Sequence, residues 1–209
     1  DDFELIGSLA SGEFCLYVSP QQTGIETFED LIEYSKDNDV LIGSQPPGSA
    51  VHALVTYVFG EAGVNYSTVI SDGANKDIIS VVNGDITVSV GYPNVGRQYV
   101  QEGTIIPILT FSGEPCVDFE DLEVPTAKSQ GIDLSFRANN FVMARKGADT
   151  EALKAMFNSF VKWQETDSFK ELADNTKYVP YNQNGEDLKV EIEKAAALFQ
   201  VIYDKYYKQ

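Results

Sequence analysis

The 209 residues carry 15 Lys and Arg against 32 Asp and Glu, a formal net charge of -17, and a pI near 4.3. A field of that sign repels phosphate backbones and anionic lipid, and no Lys/Arg cluster offsets it locally, which makes nucleic-acid binding and membrane-surface binding poor hypotheses. With 43% hydrophobic and 11% aromatic residues the chain can bury a real core, in one large domain or two small ones, and no apolar run approaches the ~20 residues needed to cross a bilayer.

The chain opens on Asp1-Asp2 rather than on a basic segment followed by an apolar one, so an exported form is expected to have lost its signal. Strands and helices then alternate through the first two thirds, which predicts βα units around a mainly parallel sheet. Residues 14–18 read as a strand. Thr27 is a helix N-cap, with Asp30 in the first turn and Phe28, Leu31 and Ile32 on the apolar face. Residues 40–42 form the next strand, and Ser49 caps a helix to about Ala62 whose Val51, Leu54, Val55 and Val58 fall at core-facing spacing. A third unit has a strand at 67–70, a helix near 76–82, the turn Asn83-Gly84-Asp85 and a strand at 86–90.

Pro93 and Val95 lead into a short helix reaching Gly103, and residues 105–111 are a buried-strand candidate that Pro107 assigns to an edge or a bent position. An irregular connection with Pro115 and Pro125 fills 112–131, and a strand is expected over 134–144. Asp149 caps a helix over about 151–164 with Leu153, Met156, Phe157, Phe160 and Val161 on one face. A second helix near 168–174 and a short strand near 178–180 follow. The last helix carries Leu188, Ile192, Ala195, Phe199, Ile202 and Tyr206 at alternating spacings of four and three, a stripe suited to docking on its own domain or to a dimer seam.

Two junctions carry the chemistry. Residues 41–52, Leu-Ile-Gly-Ser-Gln-Pro-Pro-Gly-Ser-Ala-Val-His, form an apolar strand that ends in a Gly/Pro loop and opens directly into a helix. The design recurs where Val69-Ile70 meets Ser71-Asp72-Gly73-Ala74-Asn75. Such junctions aim unpaired backbone N–H groups at solvent and hold an anion without a charged side chain. Ser44, Gln45, Gly48 and Ser49 in the first loop and Gly73 and Ala74 in the second are the candidate ligand contacts; the Ser49 hydroxyl either caps the helix or bonds the ligand. The plainer reading makes both loops ordinary strand-to-helix turns. Two of them at strand ends predict a small-ligand receptor on an α/β sheet.

Other chemistries find less support. Ser49 and His52 are three apart, which suits a nucleophile and base, but there is no G-x-S-x-G elbow and no acidic orienter. The lone His52 and the distant Cys15 and Cys116 do not make a zinc site. The two cysteines read as buried thiols or as a bridge, a choice that their Cα separation decides. The acidic run at 119–123 lacks the regular ligand spacing of a calcium loop and reads as a solvated face.

With these elements in order, the chain resembles the substrate-binding receptors of tripartite tricarboxylate transporters, the Bug family of extracytoplasmic solute receptors. The resemblance rests on ordered signatures. They are the junction at 43–52; Asp72-Gly73-Ala74 followed by Ile78 and Asn83-Gly84-Asp85; Gly103 leading into Ile106-Pro107-Ile108-Leu109; and Val124-Pro125-Thr126 with Gly131 five residues beyond Thr126. Departures accompany them. The glycine-rich first loop is here Gln45-Pro46-Pro47-Gly48, which removes two N–H donors, while Ser71 replaces an aromatic and Ser129 an acidic residue. Family members also carry an N-terminal βα region, with another glycine-rich loop, ahead of the segment aligned with residues 1–6.

The resemblance therefore implies an α/β fold of the two-lobed periplasmic-binding-protein type (type II). It implies a complete second lobe over 10–133 and a partial first lobe made of 1–9 and 134–209 with the C-terminal helices. It also implies non-catalytic capture of a small organic carboxylate outside the cytoplasmic membrane, without a cofactor or metal, and delivery to permease subunits in the membrane. Arg137, near the expected return crossing between lobes and beside Asn139 and Asn140, is the cation best placed to reach a ligand, ahead of Lys76, Arg97 and Arg145. The alternatives are a sensing or interaction module on the same fold and, less favoured, a Ser/His hydrolase.

Overall fold

The computed structural model describes residues 2–44, 46–71, 73–176 and 179–208. In chain order the elements are β1 (Phe3–Gly12), β2 (Cys15–Val18), α1 (Pro20–Thr23), α2 (Phe28–Asp37), β3 (Val40–Ser44), α3 (Ala50–Ala62), β4 (Tyr66–Ile70) and α4 (Ala74–Asn83). There follow β5 (Val88–Gly91), α5 (Pro93–Gln101), β6 (Ile106–Thr110), β7 (Ala138–Arg145), α6 (Thr150–Gln164), α7 (Asp167–Thr176), β8 (Pro180–Asn184) and α8 (Gly185–Tyr206). Contacts divide the chain into two compact units, one of residues 1–12 and 137–200 and one of residues 13–136 and 201–209.

The larger unit is built on a five-stranded sheet in the order β4-β3-β5-β2-β6. Strand β3 is parallel to both β4 and β5, and β2 runs antiparallel to β5 and β6, so four strands share a direction and β2 alone is reversed. That is the mainly parallel sheet which the alternating pattern predicts. Strands β2 and β5 are buried along their whole length and β6 over Pro107–Thr110, while the edge strand β4 leaves Val69 and Ile70 exposed. Leu16, Tyr17, Val18, Ile42, Val88 and Leu109 are buried, as are Leu54, Val58 and Phe59 of α3. Pro107 behaves as its chemistry requires: β6 is the last strand of the ladder, and the register slips between Leu16 and Tyr17, with Pro107 opposite Tyr17.

Local signals set the helix starts. Thr27 and Asp30 form a reciprocal capping box, Asp30 N donating to Thr27 Oγ1 at 3.0 Å and Thr27 N to Asp30 Oδ2 at 2.9 Å. The strand expected from Ile86 begins at Val88 instead, because the C-terminus of α4 draws in the preceding residues: Asp85 N and Ile86 N donate back to Ser80 O. The final turns of α8 belong to this unit and pack on α3. Lys205 and Tyr206 both donate to Glu61, the Tyr206 hydroxyl at 2.6 Å, and hold that carboxyl below its usual range. Gly60 makes room, since a Cβ there would lie 2.4 Å from the Tyr206 ring.

The smaller unit is a three-stranded antiparallel sheet, β7-β1-β8, with α6 against β1. Its central strand, β1, is absent from the sequence reading, and the strand expected over 134–144 starts only at Ala138. Gly7 lets α6 approach: a Cβ there would fall 2.5 Å from both the Phe157 ring and Gln183 O. Asp149 caps α6 as expected, accepting from Ala152 N at 2.8 Å. Gln164 closes the helix onto the sheet, donating to Leu9 O at 3.1 Å and accepting from Asn182 at 2.6 Å. On α8 the residues of the heptad-like stripe are buried or half-buried, while Val190, Val201 and Tyr203 outside it are exposed. Leu188 and Ile202 of the stripe are fully buried within this chain. Among the described residues, no helix is long and apolar enough to cross a membrane.

Candidate functional site

The parallel strands β3, β4 and β5 end together. Ser44 stands opposite Ile70, and Gly43 opposite Ser89, so the three chains leave the sheet on one edge, and each runs into a helix. The caps differ. Ser49 accepts from His52 N at 3.2 Å through its hydroxyl, and its carbonyl takes Ala53 N at 3.1 Å. Gly73 caps α4 with its carbonyl alone, receiving Lys76 N at 3.0 Å and Asp77 N at 3.3 Å, while its own N–H donates to Ser71 Oγ at 3.2 Å. Tyr92 caps α5, whose first residue, Pro93, has no N–H to give.

A helix offers no internal acceptor to its first amides, which leaves the N–H groups of Ala50, Val51, Ala74 and Asn75 outside the helical ladder, at the positive ends of α3 and α4. Chemically, such an edge accepts an anion by backbone donation. Gly73 is at φ 136 and ψ 163, a conformation essentially confined to glycine, and a Cβ built there meets nothing within 4 Å. Its flank is therefore open.

Several side chains frame this edge. Asp77, 5% exposed, lies against Gly43, and burial raises its carboxyl pKa above the usual range, opposed by a hydrogen bond from Ser71. Phe14, immediately before β2, stacks on Tyr92 with ring centroids 4.6 Å apart, and Tyr92 keeps 38% of its surface exposed while burial raises its pKa. The buried Ser112 hydroxyl lies 3.3 Å from Glu13 Oε2. None of Phe14, Tyr92, Glu13 or Ser112 stands out in the sequence, because only the sheet order brings the start of β2, the end of β5 and the end of β6 to one edge.

Of the residues singled out by sequence, Ser44 ends β3, Gly48 takes a left-handed φ of 94, Ser49 caps α3, Gly73 caps α4 and Ala74 opens it. Gln45 lies outside the described residues, as does Asp72. Of the two roles open to the Ser49 hydroxyl, the structure shows the cap. Arg137 belongs to the smaller unit, where its guanidinium donates to Ser11 Oγ at 3.2 Å and lies over the Tyr181 ring at 5.9 Å. Arg97 is paired with Asp118. The His52 ring is engaged by the Tyr207 hydroxyl at 2.7 Å, and burial lowers its pKa. Ser49 Oγ thus bonds the His52 main chain and the imidazole bonds Tyr207, which is not a nucleophile–base geometry. Glu120, Asp121 and Glu123 are exposed, as the solvated-face reading has it, and no group of His, Cys, Asp and Glu among the described residues is placed to hold a metal.

No family model and no curated protein matches this sequence. Solved structures match its fold. A TctC solute-binding protein from Polaromonas superimposes with a TM-score of 0.81 at 22% identity, over 98% of this chain and 70% of its own. A protein from R. palustris solved with adipate gives 0.79 at 17% identity, over 97% and 68%. The periplasmic binding protein BugD gives 0.77 at 17% identity, over 97% and 69%. The chain has the α/β fold of these periplasmic solute-binding proteins, as the resemblance in its motifs implies.

Proposed function

We propose that this chain is a non-catalytic, extracytoplasmic receptor that captures a small organic carboxylate and passes it to the permease subunits of a tripartite tricarboxylate-type transporter. The observation that carries the reading is the shared edge where β3 and β4 deliver the N-termini of α3 and α4, each with first-turn amides free of helical acceptors. One carboxylate group matches the amides of Gly48 and of the first turn of α3, and Ser44, Gln45 and the Ser49 hydroxyl are proposed as further contacts, the Ser49 N–H itself being taken by Pro46 O. A second matches the amides of Ala74 and Asn75, with the open flank of Gly73 leaving room for the approach. The R. palustris relative of the same fold was solved with adipate, a dicarboxylate, which supports this ligand class. A chain of -17 needs such local dipoles, because its overall field opposes anions.

A panel of di- and tricarboxylates, adipate included, tests the proposal by thermal shift followed by calorimetric titration. At least one acid is expected to raise the melting temperature and to bind without turnover. Hydrolysis of activated esters that is lost in His52→Ala would replace the receptor by a hydrolase. An output that depends on a kinase partner, with no transport phenotype, would replace it by a sensory module.

A further inference from the structure

The larger unit holds a second feature that the receptor reading does not use. Cys15 on β2 and Cys116 at the start of the short 3-10 turn Val117–Leu122 are 101 positions apart in sequence, yet their sulfurs lie 3.9 Å from each other. Both are free thiols, with 0% and 2% of their surface exposed. Tyr17, Ile78, Val81, Ile105, Phe119 and Val124 enclose them in one apolar cluster.

We propose that Cys15 and Cys116 are a disulfide-forming pair, which on oxidation ties the reversed strand β2 to the connection that follows β6. A disulfide bond of ~2 Å requires the sulfurs to close by about 2 Å. Cys15 is fixed by its ladder positions opposite Gly91 and Thr110, so the movement falls to Cys116, which sits in irregular chain after Pro115. In the folded protein the Cys15 thiol is held well above its usual pKa by its hydrogen bond to Cys116 and by burial, which keeps it protonated and unreactive. Exchange therefore takes place before the pair is buried, during folding.

The oxidant is a small external disulfide such as oxidised glutathione. One cysteine thiolate attacks a glutathione sulfur, breaks the S–S bond and releases one glutathione thiolate. The second cysteine thiolate then attacks the protein sulfur of the mixed disulfide and releases the other. Two electrons pass from the cysteine pair to the glutathione disulfide, and the two thiol protons end on two molecules of glutathione.

The test refolds the chain from denaturant in oxidised and reduced glutathione, quenches exchange with acid, then alkylates free thiols with excess maleimide in denaturant near neutral pH and weighs the product. Oxidised refolding is expected to give a monomer lighter than the reduced chain by two hydrogen atoms with no alkylated cysteine, and to raise the melting temperature by several degrees. Cys15→Ala and Cys116→Ser are each expected to abolish that redox dependence. Two alkylated cysteines after oxidised refolding, a stable glutathione adduct, or only disulfide-linked dimers would overturn the assignment. The mass measurement on the unsubstituted chain decides even if a variant fails to fold.

Discussion

The Nδ1 of His52 lies 2.7 Å from the hydroxyl of Tyr207, joining the first turn of α3 to the residue just past the end of α8. Thr56 Oγ1 approaches the same hydroxyl at 3.2 Å. The histidine next to the Gly/Pro loop that precedes α3 is thereby a clasp between two helices. Burial lowers its pKa, so the folded state binds the proton less well than the unfolded chain does. The stability it contributes is complete above the unfolded pKa of about 6.5 and is lost as pH falls toward the folded value. His52→Gln, which keeps a polar side chain without the titration, is expected to melt with a weaker pH dependence than the parent between pH 7.5 and 5.5. Tyr207→Phe is expected to cost about 0.5–1.5 kcal/mol with ligand affinity unchanged. Parallel pH profiles for parent and His52→Gln would refute the clasp as a titrating element.

Asp77 has the opposite sign. Burial raises its carboxyl pKa, with the Ser71 hydrogen bond acting against it, so the folded state favours the protonated acid. Its favourable contribution is complete below the ordinary carboxylate pKa of about 3.9 and is lost as pH rises through the folded value, leaving a buried charge that opposes folding at neutral pH. Asp77→Asn is expected to melt above the parent at pH 7, with the difference closing as pH approaches 4. Differential scanning calorimetry of the two proteins across that range reads the effect directly, and a variant that melts lower at pH 7 would show that the Ser71 bond outweighs the charge.

Gly43 and Asp77 also exclude each other sterically. A Cβ on Gly43 would come within 2.5 Å of the Asp77 carboxyl and 2.8 Å of Ile86 Cδ1. Gly43→Ala is expected to cost about 1–3 kcal/mol by overpacking. Part of that loss should return in the Gly43→Ala, Asp77→Ala double variant, where the carboxyl is gone. Urea unfolding of the four proteins in the cycle measures the coupling, and strictly additive costs would place the strain elsewhere.

What the sequence makes legible is the local part of this architecture. Thr27, Ser49 and Asp149 announce their helices because a cap is a matter of a few neighbouring residues. Gly43 and Gly73 stand where a strand gives way to a helix, and the glycine loops that suggest an anion site can be found by eye. Strand β1 is different. Its Phe-Glu-Leu-Ile-Gly-Ser-Leu-Ala-Ser-Gly mixes small and polar residues with no clean alternation, and it is a strand because it pairs with β7 and β8, from Phe3 opposite Arg145 to Gly7 opposite Asn184. The polar β8, Pro-Tyr-Asn-Gln-Asn, depends on the same pairing. Phe14 and Tyr92 escape for a related reason: 78 positions of chain are erased only by the antiparallel register that sets Cys15 opposite Gly91.

If the ligand is held by backbone dipoles, salt should help rather than hinder. The -17 charge repels an organic acid at long range, and at physiological ionic strength that repulsion is confined to about 8 Å, whereas contacts at the helix ends are made at hydrogen-bond distance. Affinity for the acid that stabilises the parent is expected to rise modestly from low to physiological salt. A steep fall would instead identify a cationic side chain as the clamp, and Arg137→Gln would then abolish the salt dependence.

The sharpest test falls on Gly73. At φ 136 its conformation is closed to other residues, yet the space around its missing Cβ is open. The two facts separate strain from collision. Gly73→Ala is expected to cost about 1–3 kcal/mol through the backbone alone, since the new methyl group touches nothing. Any relaxation of that strain turns the start of α4 and moves the amides of Ala74 and Asn75, so carboxylate affinity should fall in the variant even where it remains fully folded. Gly73→Val adds bulk on the open flank and is expected to abolish binding. Circular dichroism and thermal melting establish that each variant is folded before calorimetric titration with the acid that stabilises the parent. A folded Gly73→Val that binds like the parent, beside a His52→Ala that loses all binding, would move the site from the backbone of the two loops to the side chains of α3.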